Sequence, residues 1–452
     1  MKNIASRTAM ALLLAGLLLF GLLTFFIRYF IFSDDWFSHS HSSDGLSVER
    51  VLDRGGKVLY APKSDQTYSK NAAVRRATVH LVGDTKGYID PLMLRQYLPE
   101  LAGFDKINGT YGMQSGTGVV ELTVESSIQT VALQALGSRK GTVGVYNYRT
   151  GEILCAVTSP TFDPCDPPVV EDGDSRWDGL YLHRFFSAAY TPGSIFKLVT
   201  TAAALETIPD ILDQHFTCTG SIKVNGEVIR CQGGKAHGEQ TVKEALANSC
   251  NCAFAQIAQE VGPSVLQRKA EQIGVTQSLF VDGYRTRAGS FDLTGADKNR
   301  VAWAGIGQDV DLVNPCQYMT YMGAIASGGR AALPYLVRRV SSNGEERYRA
   351  EPQRSQIMIT RDAAEVLTEF MHNNVVRMYA PVNFSDVKVC AKSGTAEVAG
   401  SNPTSTFAGF LDSEKYPLAF VVVVEEGGSG AASPVAAAVL RACINVMYAE
   451  SK

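Results

Sequence analysis

Tyr190-Thr191-Pro192-Gly193-Ser194-Ile195-Phe196-Lys197, followed by Leu198-Val199-Thr200-Thr201-Ala202-Ala203-Ala204-Leu205, is the stretch from which the rest of the chain is read. Pro192-Gly193 punctuates the chain, and the residues after it are apolar on most sides, which predicts a buried helix. Spacing i, i+3 puts Ser194 and Lys197 on one face at the start of that helix, where unpaired N–H groups favour negative charge. A hydroxyl and an amine so placed suit a nucleophile and its base. By itself the S-x-x-K pattern decides little, because Ser385-Asp386-Val387-Lys388 satisfies it too.

Two further patterns give it company. Ser249-Cys250-Asn251 supplies S-x-N, although Ser69-Lys70-Asn71 and Ser341-Ser342-Asn343 also match and read as surface or turn segments. Lys392-Ser393-Gly394-Thr395 is the sole K-[ST]-G. It falls in a predicted strand over 387–398, where Gly394 would let another backbone approach closely.

Outward from these residues, 194–326 reads as mainly helical, and strands are predicted on both sides of it. They lie at 142–147 and 153–157 before it and at 387–398, 406–411 and 418–425 after it. An amphipathic helix over 126–136 and a last helix over 434–447 complete an α+β domain whose antiparallel sheet is closed by segments from both chain ends. Residues 48–118 read as a small β-rich domain, with strand-like pieces such as 79–82 and a helical stretch over 91–101. Ser221 to Arg230 reads as a hairpin turning at Asn225-Gly226.

Near the N-terminus, 9–27 is free of charge, and nineteen residues at about 1.5 Å each span roughly 28 Å of hydrocarbon. Lys2 and Arg7 precede the run and Asp34 and Asp35 follow it, so the positive-inside rule places the short N-terminus in the cytoplasm and the rest outside the cell membrane. Bulky Arg28-Tyr29-Phe30 in place of a small-residue cleavage site favours an uncleaved, single-pass anchor over a signal peptide. The expected organisation is a cytoplasmic tail 1–8, a transmembrane anchor 9–32, a tether 33–45, a small pedestal or dimerisation-like domain 46–120 and a main domain 121–452.

The 452 residues are 45% apolar and 19% charged, with a formal net charge of -3, which fits a large globular core and leaves no basic excess for nucleic acid. Nine cysteines in an exported chain suggest disulfides, with at least one thiol left over. Cys218 and Cys231 flank the hairpin and could pair across it, or could be two buried thiols. Cys250 and Cys252 read as buried thiols. The sequence holds no His-x-x-x-His or Cys-x-x-Cys, so it shows no metal site and calls for no cofactor.

The ordered trio S-x-x-K, S-x-N and K-[ST]-G is the set known for penicillin-binding proteins and class A β-lactamases. The chain resembles a short class B penicillin-binding protein along its whole length outside the anchor. The likeness runs from Asp53-Arg54-Gly55-Gly56-Lys57 through Leu122-Thr123-Val124-Glu125, Ser159-Pro160-Thr161-Phe162-Asp163-Pro164, His237-Gly238 and Gly305-Ile306-Gly307-Gln308 to Ala326-Ser327-Gly328-Gly329 and the last strands. Glu125, Ile195 and Leu182-His183-Arg184 depart from the family's common residues without removing a reacting atom.

The resemblance implies a serine β-lactamase-like transpeptidase domain over 121–452 that cross-links nascent peptidoglycan stem peptides and is blocked by β-lactam antibiotics. It makes Ser194 the nucleophile and Lys197 its base. Ser249 would relay a proton to the leaving D-alanine, and Lys392 would supply positive charge. Asn251, Ser393, Gly394 and Thr395 would bind substrate, with the N–H groups of Ser194 and Thr395 as the oxyanion hole. Holding an ordinary lysine neutral near pH 7 costs about 4.6 kcal/mol, so the site must lower the pKa of Lys197. A polytopic glycan-polymerising glycosyltransferase of the membrane is the implied partner. A D,D-carboxypeptidase differs only in using water as acceptor. A β-lactamase must also hydrolyse its adduct and gains little from a tether, and a β-lactam sensor needs a cytoplasmic output for which eight residues offer no carrier; both rank behind.

Overall fold

The structure, a computed structural model, describes residues 2–40, 48–107, 109–110, 118–397 and 402–450. Its centre is a five-stranded antiparallel sheet in the order Val389–Ala396, Thr404–Leu411, Leu418–Val424, Gly141–Asn147, Ile153–Ser159, so the first and last parts of the domain meet in one sheet. Side chains alternate between its faces, as a strand's period of two requires. Val143, Val145, Phe420 and Val422 join one core beneath Ser126–Leu136 and Ala432–Glu450, while Tyr146, Ala419, Val421 and Val423 join the other beneath the helical part. Burial on both faces is why Phe420 to Val424 could be an unbroken apolar run.

Between the second and third of these strands in chain order lies the helical part, which includes Lys197–Thr207, Asn251–Val261, Pro263–Gln272, Pro315–Ala326 and Arg361–Met378. The hairpin expected at Ser221–Val224 and Glu227–Arg230 is present, with φ of 46° at Asn225 and 94° at Gly226, the turn that Asn-Gly favours.

A second five-stranded sheet runs Glu345–Arg349, Val337–Ser342, Gly118–Leu122, Val48–Leu52, Val58–Tyr60. The small domain is therefore completed by two strands from beyond residue 330, and Gly118–Leu122 crosses the boundary expected at 120/121. The strand-like reading of 79–82 is corrected: Ala72–Val82 is a helix, capped where the Asn71 side chain accepts from the Ala73 N–H, and it buries Ala77 to Val82. An apolar run of four residues carries no period that separates strand from buried helix. The stretch 91–101 is helical in two pieces, Leu92–Gln96 and Leu98–Leu101.

The N-terminal helix, Lys2–Ser40, continues past the expected anchor into the expected tether, whose remainder, 41–45, lies outside the described residues. Ile4–Ser33 has the length and composition of a membrane span or signal helix, and its large apolar side chains point outward. Ala432–Ala449 is also long and apolar, but it packs on Ser126–Leu136 and the sheet as a core helix.

Candidate active site

Ser194 sits in a 3-10 turn, Gly193–Phe196, and the α-helix proper begins at Lys197. The predicted helix thus opens with a 3-10 turn that carries Ser194 at its N-terminal end. Gly193 has φ of 55°, which a residue with a Cβ adopts at a cost, and its N–H donates to the Gly307 carbonyl at 2.9 Å. The Tyr318 hydroxyl donates to the Ile195 carbonyl at 2.7 Å, so the turn is tied from two sides.

The three sequence patterns converge on one cluster. Lys197 Nζ lies 3.0 Å from Ser194 Oγ, 3.3 Å from Ser249 Oγ, 2.8 Å from the Ser249 carbonyl and 2.7 Å from Asn251 Oδ1. Lys392 Nζ lies 3.0 Å from the same Ser249 Oγ. Ser249 thus stands between two amines, on a loop where it takes an unusual φ of 51°. Asn251 also donates from Nδ2 to the Arg230 carbonyl at 2.8 Å, so its amide joins the hairpin to the base.

Both lysines are fully buried. Burial, with the like charge of Lys392 next, pushes Lys197 well below the ordinary lysine range, and burial pushes Lys392 down to about 7. Burial therefore disfavours the charged form of an amine held in hydrogen-bond reach of a half-buried hydroxyl, an arrangement that suits activation of a serine.

Strand Val389–Ala396 passes against the 3-10 turn. A Cβ on Gly394 would meet the Pro192 carbonyl oxygen at 2.6 Å, and one on Gly193 would meet that of Thr395 at 2.6 Å. Only two glycines allow the Ser194 and Thr395 backbones to come this close. Gln308 Nε2 donates to the Thr395 carbonyl at 3.0 Å. The Tyr379 hydroxyl lies 2.9 Å from Ser393 Oγ, accepts from the Ser393 N–H at 3.2 Å and is 3.4 Å from Lys392 Nζ. No local pattern in the sequence marks Tyr379, which follows helix Arg361–Met378, thirteen positions before Lys392. Gln308 ends the stretch Gly305-Ile306-Gly307-Gln308, whose sequence alone implies no role for it.

The rival patterns fall elsewhere. Ser385 is exposed and Lys388 pairs with Asp412 at 2.7 Å, Asn71 caps a helix, and Asn343 forms a hairpin turn with φ of 55°. Of the two readings of Cys218 and Cys231, a pair across the hairpin or two buried thiols, the geometry fits the thiols. The two sulfurs lie 3.6 Å apart, and Cys231 is equally near Cys252 at 3.6 Å and Cys250 at 3.7 Å.

Comparison with known proteins points the same way. The family described as the penicillin binding protein transpeptidase domain matches residues 141–445. Stage V sporulation protein D of Bacillus subtilis is 28% identical over 285 residues, which are 60% of this chain and 40% of that protein. Peptidoglycan D,D-transpeptidase PbpA of Mycobacterium tuberculosis is 27% identical over 363 residues, 72% of each. Among solved structures, penicillin-binding protein A from M. tuberculosis as its ceftriaxone acyl-enzyme superposes with a TM-score of 0.77 at 23% identity, covering 89% of this chain and 100% of that one. A D,D-transpeptidase domain from Eggerthella lenta gives 0.76 at 25% identity, covering 88% and 99%.

Proposed function

The chain belongs to the penicillin-binding protein transpeptidase family, and from that membership we propose that it is a peptidoglycan D,D-transpeptidase that opens D-Ala-D-Ala stem peptides through a Ser194 acyl-enzyme. The observation that carries this reading is Ser249 Oγ between two buried amines, 3.3 Å from Lys197 and 3.0 Å from Lys392, with Ser194 Oγ 3.0 Å from Lys197. Ser194 Oγ attacks the penultimate D-alanine carbonyl carbon while its proton passes to neutral Lys197. The Ser194 and Thr395 N–H groups hold the oxyanion. Collapse expels D-alanine, whose nitrogen takes the proton through Ser249, and an amine of a neighbouring stem peptide then displaces the serine. Lys392, Ser393 and Thr395 receive the substrate carboxylate, and β-lactams mimic the donor. Asn251 faces the peptide backbone of the substrate once its amide exchanges the Arg230 carbonyl for it.

In this reading the N-terminal helix anchors the catalytic domain outside the membrane. A membrane glycosyltransferase that polymerises glycan docks on the helix and the small domain. Full-length protein given a stem pentapeptide and a labelled D-amino acid as acceptor is expected to release D-alanine and form the exchanged peptide. Release without exchange would make it a carboxypeptidase instead.

Gln308 acts as a positioning residue, since it holds the Thr395 carbonyl and with it the strand that bears the oxyanion donor. Gln308→Ala is expected to slow acylation by fluorescent penicillin by roughly 10- to 100-fold, as a displaced catalytic group does. Gln308→Glu, which fills the space but has no amide to donate, should be as slow; a rate near wild type for it would reduce Gln308 to packing.

A further inference from the structure

Directly behind the Ser249-Cys250-Asn251 loop, four side chains converge from four segments. Cys218 ends strand Phe216–Cys218, Cys231 follows strand Glu227–Arg230, His237 precedes strand Gly238–Gln240, and Cys250 is the N-cap of helix Asn251–Val261. One ligand atom from each lies within 4.8 Å of all the others. Cys231 Sγ is 3.6 Å from Cys218 Sγ and 3.7 Å from Cys250 Sγ, and His237 Nδ1 is 3.4 Å from Cys218 Sγ.

Those separations match a particular geometry. A tetrahedral zinc ion about 2.3 Å from sulfur and about 2.0 Å from nitrogen sets its ligand atoms roughly 3.5 to 3.8 Å apart. A disulfide would need its sulfurs at about 2.05 Å. Cys218, Cys231 and Cys250 are buried and His237 is half-buried. The surrounding backbone also suits thiolates: the Gly220 N–H donates to Cys218 Sγ and the Ala253 N–H to Cys250 Sγ, each at 3.4 Å. Such outer contacts orient metal ligands. Two more bonds close the frame, from the His237 N–H to the Cys218 carbonyl at 3.2 Å and from the Cys231 N–H to the Gly220 carbonyl at 3.0 Å. Cys252 touches Cys231 but stands outside the four.

We propose that Cys218, Cys231, His237 and Cys250 bind one zinc(II) ion, and that this ion fixes the loop carrying Ser249 and Asn251 against Lys197 and Lys392. Thiolate and imidazole donors in a closed tetrahedron select zinc over magnesium or calcium, which take oxygen. Each cysteine gives up its thiol proton on binding, and His237 binds as the neutral imidazole. With four protein ligands the ion has no open position for substrate, so its role is structural. Cys250 lies between Ser249 and Asn251 in the chain, so holding its sulfur holds both neighbours. The role at the loop rests on the acyltransferase reading; the metal site does not.

The test uses full-length protein purified in detergent without chelators. Elemental analysis should find one zinc per chain. Cobalt(II) exchanged into the wild-type protein should give intense thiolate-to-cobalt absorption with tetrahedral d–d bands, a readout independent of activity. Cys218→Ser and His237→Ala should each lose most of the metal, while Cys165→Ser, which alters the exposed cysteine, should keep it. Labelling of Cys218→Ser by fluorescent penicillin should be about 10- to 100-fold slower, the usual cost of disturbing a metal site. Wild-type protein with neither zinc nor a cobalt spectrum, or with a Cys218–Cys231 disulfide found by mass spectrometry, overturns the site. Stoichiometric zinc whose removal leaves labelling unchanged overturns its role at the loop. Zinc in a protein that no β-lactam labels would sink the acyltransferase reading and leave the metal site standing.

Discussion

Ser194→Ala is expected to leave the full-length protein unlabelled by fluorescent penicillin, and Lys197→Ala to slow labelling by about 10²- to 10⁴-fold, the range of a lost general base. Ser194 Oγ lies 3.0 Å from the Lys197 amine on the turn that packs against the K-[ST]-G strand, whereas Ser249 Oγ is held between the two lysines, so removal of the Ser194 hydroxyl takes away the nucleophile. The lysine effect has a further signature in pH. Lys197 must be neutral to accept a proton, so the wild-type rate should fall as pH is lowered through its pKa. Burial and Lys392 place that limb well below the ordinary lysine range, against the opposing pull of negative charge on the Cys250, Cys231 and Cys252 sulfurs; the uncharged Ser194, Ser249 and Asn251 and the Phe254 ring, 5.6 Å away, also face the amine. In Lys197→Ala that limb should vanish while Ser194 still labels slowly. Labelling of Ser194→Ala at the native rate would remove the nucleophile, and an unchanged limb in Lys197→Ala would assign the titration elsewhere.

Much of this cluster was legible because its parts are local patterns: two residues one helical turn apart, a loop triplet and a strand quartet. The helix at Ser126–Leu136 and the hairpin at Asn225-Gly226 were equally plain, since each carries a period or a turn that only one conformation satisfies. The misreadings occur where the sequence carries no such period. Val79 to Val82 could be strand or buried helix, and only the Asn71 cap and the packing of Ala72–Val82 decide. Strands Val337–Ser342 and Glu345–Arg349 complete the small N-terminal sheet from more than 200 positions away, a pairing no local signal announces. Tyr379 is tied to Lys392 and Ser393 in the same long-range way. The sulfur cluster is the sharpest case, because its ligands at 218, 231, 237 and 250 follow no close metal-ligand spacing and meet only after two strand pairings and a helix cap bring them together.

Gly394→Ala is expected to cost about 10² to 10³ in acylation rate, the penalty typical of a lost oxyanion donor, although the substitution adds one methyl group and touches no reacting atom. The methyl would lie 2.6 Å from the Pro192 carbonyl oxygen and 3.1 Å from Ile195 Cγ2, far inside contact distance. Neither side can yield freely. The strand is locked in register, with Lys392 opposite Ala408 and Gly394 opposite Thr406, and its partner Thr404–Leu411 is buried along its whole length. The turn is held by the Gly193 N–H on Gly307 and by Tyr318 on the Ile195 carbonyl. The clash is therefore relieved by opening the gap between the Ser194 and Thr395 N–H groups, which widens the oxyanion hole itself. Overpacking of this kind costs roughly 1 to 3 kcal/mol of stability, little enough for a folded domain to survive. The measurement is the labelling rate beside the thermal midpoint: a large loss of rate with a modest drop in midpoint is the expected pair. A native rate in a folded Gly394→Ala protein would mean that the strand and the turn do not together set the geometry of the reaction.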